Sequence, residues 1–313
     1  MAEITAKMVS QLREETGAGM MDCKKALTEA NGDLEEARTI LRKKGAAKAG
    51  AKSESRTASE GIVDAFVSES GSGGVLLELN SETDFVARND AFRVLAHELS
   101  KQVAEAGAAY SSVADLLAAK STTAGFDGTV NDLVTENIQR LGEKIAIARF
   151  VRYDAPTARG AVGAYIHKTD YKTGVIVEVT ADKEVDNIDA LTQLARDVAM
   201  HVAAARPTYL NAEEVPAELL EKEREIARAK QDADPSWANK PDAAKTSMIE
   251  GQVRKYLEQY VLVEQPYVRD PSGKQKIKTL ASETGKAVGA GVKVTRFDRY
   301  RVGENQTEAG ANA

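Results

Sequence analysis

Cysteine and histidine are scarce in this chain, and the scarcity closes several routes. Its one cysteine, Cys23, cannot form an internal disulfide, and its three histidines, His97, His167 and His201, do not join it in the spacing of a zinc site. A reducing compartment, with neither metal nor cofactor, is expected. No apolar run approaches the roughly 18 to 20 residues needed to cross a bilayer, and Ala2-Glu3-Ile4-Thr5 does not read as a basic-then-apolar leader. The expectation is a cytoplasmic chain without a membrane role. Positive charge is also short. The formal net charge is -6, so there is no basic excess to neutralise nucleic-acid phosphates, and direct nucleic-acid binding is not expected. What remains is ordinary globular material: 313 residues, 42% apolar and 29% charged, enough to bury a core in two or three modest domains.

Ile4, Met8, Val9 and Leu12 share one helical face, and Thr16-Gly17-Ala18-Gly19 ends that helix. A second helix carries Cys23, Ala26, Leu27 and Ala30 as far as Asn31-Gly32. Asp33 with Glu36 starts a third, whose Ala37, Ile40 and Leu41 face inward until Gly45. Residues 46–59 are small and polar without apolar period, the composition of a flexible tether. The segment from Gly45 to Ser53 approaches a phosphate-binding loop, but Ala51 intrudes before Lys52, and a helix rather than a strand precedes it.

An internal repeat organises the rest. Gly61-Ile62-Val63-Asp64-Ala65-Phe66-Val67 is echoed by Gly160-Ala161-Val162-Gly163-Ala164-Tyr165-Ile166, and Val75-Leu76-Leu77-Glu78-Leu79 by Val175-Ile176-Val177-Glu178-Val179. Leu95-Ala96-His97-Glu98-Leu99 corresponds to Leu194-Ala195-Arg196-Asp197-Val198. Each copy reads as a hairpin of two antiparallel strands, a loop and a helix packed on one face, which makes the class α+β with a core of two related antiparallel-sheet-plus-helix subdomains. Helices are expected around Val113 to Leu117 and Leu133 to Leu141, then a strand from Ile145 to Tyr153, assigned to the second copy. Pro216 opens a charged helix through Leu219, Leu220, Glu223, Ile226 and Ala227. Asp234-Pro235-Ser236-Trp237 and Lys240-Pro241 break it, and a partner helix from about Met248 to Tyr260 makes the pair a protruding hairpin. The expected division is 1–45, a tether at 46–59, 60–142 as one subdomain, 143–205 with 255–303 as the other, a hairpin insertion at 206–254 and a tail at 304–313.

The two copies disagree at one loop. Where the first has Thr83-Asp84-Phe85-Val86, the second has Lys183-Glu184-Val185-Asp186. Phe85 is either a core plug, with Asp84 capping the helix that begins at Asp90, or an aromatic offered to a partner; the residues alone leave both open. Asp84, Asp90, Glu78 and Glu82 are dense enough to furnish an acid and a base, but such density is usually a solvated surface. No serine or cysteine nucleophile has a recognisable setting, and Cys23 reads as a core thiol. His97 and His201 read as packed or surface residues, whereas His167, beside a polar turn, suits an interface. Met20 and Met21 are adjacent, so one of them faces away from the helix core towards a partner.

Glu3-Ile4-Thr5-Ala6, the run from Thr16 to Leu27, Glu29-Ala30-Asn31-Gly32-Asp33, Thr83-Asp84-Phe85-Val86-Ala87, Met200-His201-Val202-Ala203-Ala204 and Gln265-Pro266-Tyr267-Val268 together resemble the elongation factor Ts family over nearly the whole chain. The resemblance implies a ubiquitin-associated-like three-helix N-terminal domain, a core of two related subdomains and a protruding helical hairpin. It implies no enzyme and no catalytic residue, but a guanine-nucleotide exchange factor acting on elongation factor Tu, in its GDP-bound and nucleotide-free forms. On that resemblance Phe85, with Thr83 and Val86 beside it, would wedge into the nucleotide domain of the Tu protein, and Asp84 would disturb the groups holding its magnesium. Arg13, Met20, Met21 and Lys24 would grip the same domain, and His167 would touch another. The contact with the Tu protein that family members often make through a further helix after the last strand would be missing or reduced, since only Asn305 to Ala313 follow Glu304. Self-association through the hairpin or core, as a homodimer or a 2:2 complex, stays open, as does a helix- or peptide-binding adaptor built on the N-terminal domain.

Overall fold

The computed structural model describes residues 4–41, 43–44, 56–232 and 240–304. Most of the expected tether, the break from Asp234 to Trp237 and the tail beyond Glu304 lie outside the described residues. The described residues divide into two compact units. One holds those up to Phe66, Val75–Val151 and Asp170–Lys172, and the other holds Val67–Gly74, Arg152–Thr169 and those from Thr173 onward.

The first unit opens with α1 (Ala6–Thr16), α2 (Met20–Glu29) and α3 (34–41). The Thr5 hydroxyl accepts from the Met8 N–H, and the Asp33 carboxylate accepts from the Glu36 N–H, so two of the three starts are side-chain capped. Gly17 ends α1 at φ 65°, the left-handed geometry that lets its N–H reach the Arg13 carbonyl at 2.8 Å. Leu12, Cys23, Ala26, Leu27 and Ala37 are buried together between these helices.

The remaining elements of the core repeat one plan. In the first copy β1 (Glu60–Val67), β2 (Gly73–Ser81) and β3 (Ile145–Asp154) form a three-stranded antiparallel sheet in that order. It is accompanied by α4 (Asp84–Ala87), α5 (Asp90–Glu105), α6 (Val113–Ala118) and α7 (Val130–Leu141). In the second, β4 (Gly160–Ile166), β5 (Thr173–Ala181) and β6 (Val292–Arg301) form another, with α8 (Ile188–Ala205) on its face. Phe92, Leu95, Ala96, Leu99 and Val103 recur along α5 at helical spacing and are all buried in the same cluster as Leu77, Leu79 and Ile147. At Gly163 the backbone of α8 comes so close that a Cβ would lie 2.4 Å from the Arg196 nitrogen. Each copy also satisfies an outward N–H of its edge strand with a turn carbonyl, Val63 with Tyr171 and Val162 with Gly71, both at 2.7 Å.

The strand 145–153, expected to complete the second sheet, belongs to the first: β3 pairs with β2, and β6 takes the corresponding place beside β5. Ile145 and Ile147 pack in the core cluster of the first sheet, and an ion pair to the central strand adds to them. Glu78, 3% exposed on the central strand, meets Arg149 of β3 at 2.8 Å, and the equivalent Glu178 meets Arg296 of β6 at 2.6 Å. A carboxylate on a central strand needs a cationic partner, and each copy takes one from its third strand. The repeat therefore extends to that strand. Ile145, Ile147, Arg149, Phe150, Arg152 and Tyr153 correspond one by one to Val292, Val294, Arg296, Phe297, Arg299 and Tyr300. The separation here is larger than in the earlier elements, because the second copy is interrupted before its last strand.

That interruption contains α9 (Ala217–Asp232) and α10 (Asp242–Tyr260), joined by an Arg224–Glu250 ion pair at 2.9 Å, and later α11 (Ile277–Val288). The helix expected from about Met248 begins at Asp242, directly after Pro241, whose fixed φ suits a helix entry. Two of the strings that carried the family resemblance meet in this unit. His201 is buried; its Nδ1 accepts from the Val268 N–H at 3.2 Å, so its Nε2–H donates to Gln265 Oε1 at 2.9 Å. Burial pushes its pKa below the ordinary histidine value, because a proton on Nδ1 would face an N–H donor in a desolvated site.

Two outcomes are expected. Arg149→Ala should lower the unfolding free energy by about 3–5 kcal/mol in urea titration, whereas replacing the pair together, Glu78→Leu with Arg149→Met, should cost much less. Since the unfolded chain takes up the proton on His201 more readily than the folded one, its contribution is complete above roughly pH 6.5 and is lost as pH falls below it. Thermal melts between pH 7.5 and 5 should therefore show a smaller decline for His201→Gln than for the natural chain.

Candidate functional site

The loop after β2 is built as a bracket. The Ser81 hydroxyl donates to the Thr83 carbonyl at 2.9 Å. Thr83 then gives both of its donors to one carboxylate, its N–H to Glu143 Oε2 at 3.0 Å and its hydroxyl to Glu143 Oε1 at 2.6 Å. With its proton so committed, Thr83 Oγ1 faces the Val86 N–H at 3.5 Å and caps the single turn of α4. Glu82 is tied alongside: its Oε1 accepts from the Lys144 N–H at 2.6 Å, and its carboxylate pairs with Arg56 at 3.0 Å. Both clamps come from the two residues immediately before β3.

A helical turn advances about 100° per residue, so the direction of one side chain is set by its neighbours. Ala87 is buried and Val86 packs against the core cluster, which leaves Phe85 turned outward, 82% exposed. Asp84 opens the turn and pairs with Arg88 at 3.1 Å; α5 is capped by Asn89, which accepts from the Ala91 N–H. The core-plug reading, including Asp84 as the cap of α5, is thus overturned. In the second copy Val185 is buried, with its N–H donated to the Ala158 carbonyl at 2.9 Å. The duplicated scaffold plugs one loop and leaves an aromatic in water at the other.

Thr83, Asp84, Phe85 and Val86 thus share one turn. Arg13, Met20, Met21 and Lys24 form a second exposed group, on α1 and α2, where the two methionines are 55% and 67% exposed. Both methionines, not one, face solvent. His167 is exposed in the other unit, its Nδ1 3.4 Å from the Tyr165 hydroxyl. Cys23 is fully buried, and burial raises its thiol pKa, as a core thiol should behave. His97 is exposed, 3.4 Å from the Asp64 carboxylate and stacked obliquely on Phe66. Of the four carboxylates that could furnish an acid and a base, Glu78 is bound to Arg149 and Glu82 to Lys144 and Arg56, which are structural uses, whereas Asp84 pairs with Arg88 at the surface and Asp90 is exposed in the first turn of α5. Glu143 and the exposed Val94 of α5 went unnoticed in the sequence. A glutamate after Gly142 gives no signal by itself, and Val94 shows only as an apolar residue off the buried face of α5.

The family model described as Elongation factor TS matches residues 82–304, beginning at the bracket just described. The chain belongs to the elongation factor Ts family. Elongation factor Ts of Nostoc punctiforme is 44% identical over 97% of this chain and 94% of its own length. That of Syntrophotalea carbinolica is 45% identical over 96% and 94%, and that of Clostridium botulinum 43% identical over 96% and 93%. The family is one of translation elongation factors that serve as nucleotide exchange factors. No group of three or more His, Cys, Asp or Glu among the described residues is disposed to hold a metal ion. No helix among the described residues is long and apolar enough to cross a membrane.

Because the Phe85 ring lies in solvent, Phe85→Ala should change the unfolding free energy by less than about 0.5 kcal/mol in a denaturant titration. A buried phenylalanine would cost about 3–5 kcal/mol.

Proposed function

We propose that this chain binds elongation factor Tu carrying GDP and speeds GDP release, with Asp84 and Phe85 as the working tip. The observation that carries the reading is a large aromatic ring held 82% exposed on a capped and clamped turn, within the region matched by the family model. A fold does not keep such a ring in water for its own stability; it is the kind of side chain that becomes the centre of an interface. In this reading Phe85 enters an apolar pocket of the nucleotide domain, with Thr83 and Val86 at its margin. Asp84 brings a negative charge to the groups that hold magnesium and phosphate. Arg13, Met20, Met21 and Lys24 grip the same domain, and His167 touches another. Residues 1–45 would then act as a docking module and the two core subdomains as the mounting of the tip, in the cytoplasm.

The energetics are those of linkage. If the factor lowers the affinity of its partner for GDP, GDP lowers the affinity of the partner for the factor by the same ratio. GDP therefore leaves from a ternary complex with weakened metal and phosphate contacts, and GTP later displaces the factor. The adaptor alternative, favoured by the two exposed methionines of α2, requires binding without any effect on nucleotide release. Elongation factor Tu loaded with a fluorescent GDP separates the two. The intact chain should accelerate release, and Phe85→Ala should reduce that acceleration about 30-fold, the equivalent of losing about 2 kcal/mol at an interface anchor. No acceleration by the intact chain overturns the proposal.

A further inference from the structure

Phe85 has no packing of its own to hold it in place, so whatever aims it must act through the backbone of α4. That backbone is fixed at its start by Thr83, whose N–H and hydroxyl are both taken by the Glu143 carboxylate. Two parallel hydrogen bonds to one planar carboxylate restrain both the position and the rotation of the residue, as a single bond would not. They also orient the Thr83 hydroxyl, since a proton directed to Glu143 leaves the oxygen lone pairs towards the Val86 N–H. Glu143 is itself fixed by its place in the chain, between Gly142, which ends α7 in the left-handed conformation, and β3, whose buried Ile145 and Arg149 cannot move without opening the sheet. The second copy supplies a contrast. There, Asp182 and the Gly291 N–H reproduce the neighbouring clamp between Glu82 and the Lys144 N–H, at 2.9 and 2.6 Å. Ala290, at the place of Glu143, has no carboxylate, and the loop presents a buried valine. The additional clamp occurs in the copy whose loop displays an aromatic.

We propose that Glu143 is the positioning residue of the tip: it does not touch the partner but, through Thr83, holds α4 in the orientation that presents Phe85. This assignment rests on the reading of Asp84 and Phe85 as the working tip. It predicts that Glu143 matters for nucleotide release only while Phe85 is there to be aimed.

The test is a double-mutant cycle on the full chain with elongation factor Tu and fluorescent GDP, using Glu143→Gln, Phe85→Ala and the two together, with a thermal melt of each. Glutamine keeps the size and one acceptor but loses the matched pair of oxygens, so folding should be retained; Thr83→Val, which removes only the hydroxyl, provides a second disruption of the same clamp. Glu143→Gln should slow release at saturating factor about 5- to 10-fold while the half-saturating concentration changes less than twofold. In the Phe85→Ala background it should cause no further slowing. Thr83→Val should behave in the same way. Full-speed release with Glu143→Gln, or an equal slowing with and without Phe85, overturns the assignment while leaving the tip intact if Phe85→Ala alone is slow. Undiminished release with Phe85→Ala overturns the tip and the assignment together.

Discussion

A charged group on the central strand of a small sheet must be paired where it lies, and in this protein that requirement governs the core. Glu78 is buried on β2, and Arg149 of β3 meets its charge at 2.8 Å. This pair ties β3 to its place beside β2. The residues just before β3 are carried to the loop after β2 with it. Lys144 is brought to Glu82 and Glu143 to Thr83, so the loop after β2 is clamped by the same strand that neutralises its interior. The turn that displays Phe85 is thus held by residues that lead into the strand supplying the buried ion pair.

The second copy shows how far one scaffold can diverge while keeping this constraint. Glu178 and Arg296 repeat the pair, and Asp182 repeats the clamp on the residue before the third strand. The loops nevertheless end differently. Val185 is drawn into its own core cluster, whereas Val86 and Ala87 are drawn in on the first copy and leave Phe85 in solvent. An aromatic ring left in water gains nothing from folding, so its favourable free energy is still available to a partner. Rigid support matters for the same reason, since a loop that must be ordered on binding spends part of its contact energy on that ordering. The one-turn helix, its threonine cap and the glutamate behind it remove most of that freedom before a partner arrives.

Much of the architecture was legible in the chain because it is written in local patterns. The three N-terminal helices, the two hairpins and the long helices after them follow from apolar spacing, capping residues and glycines, which act over a few residues. The repeat was legible for its first three elements, where the two copies keep nearly constant separation. It was lost at the third strand, since the inserted helices displace Val292–Arg301 and break the spacing that made the match visible. Assigning Ile145 to Tyr153 to the wrong sheet came from that gap: strand pairing is a long-range choice, and nothing within the strand states its neighbour.

The candidate site divides in the same way. By itself the sequence determined that a strand ends near Ser81, that an aspartate and a phenylalanine follow, that two methionines head the second helix, and that the aromatic has no counterpart in the other copy. These are properties of order and residue type. Only the tertiary structure decided that Phe85 faces water, that Asp84 pairs with Arg88 rather than capping α5, and that a carboxylate 60 residues away holds Thr83. The physical reason is that the direction of a side chain on a single turn is set by which of its neighbours the core accepts, and the core is assembled from segments distant along the chain.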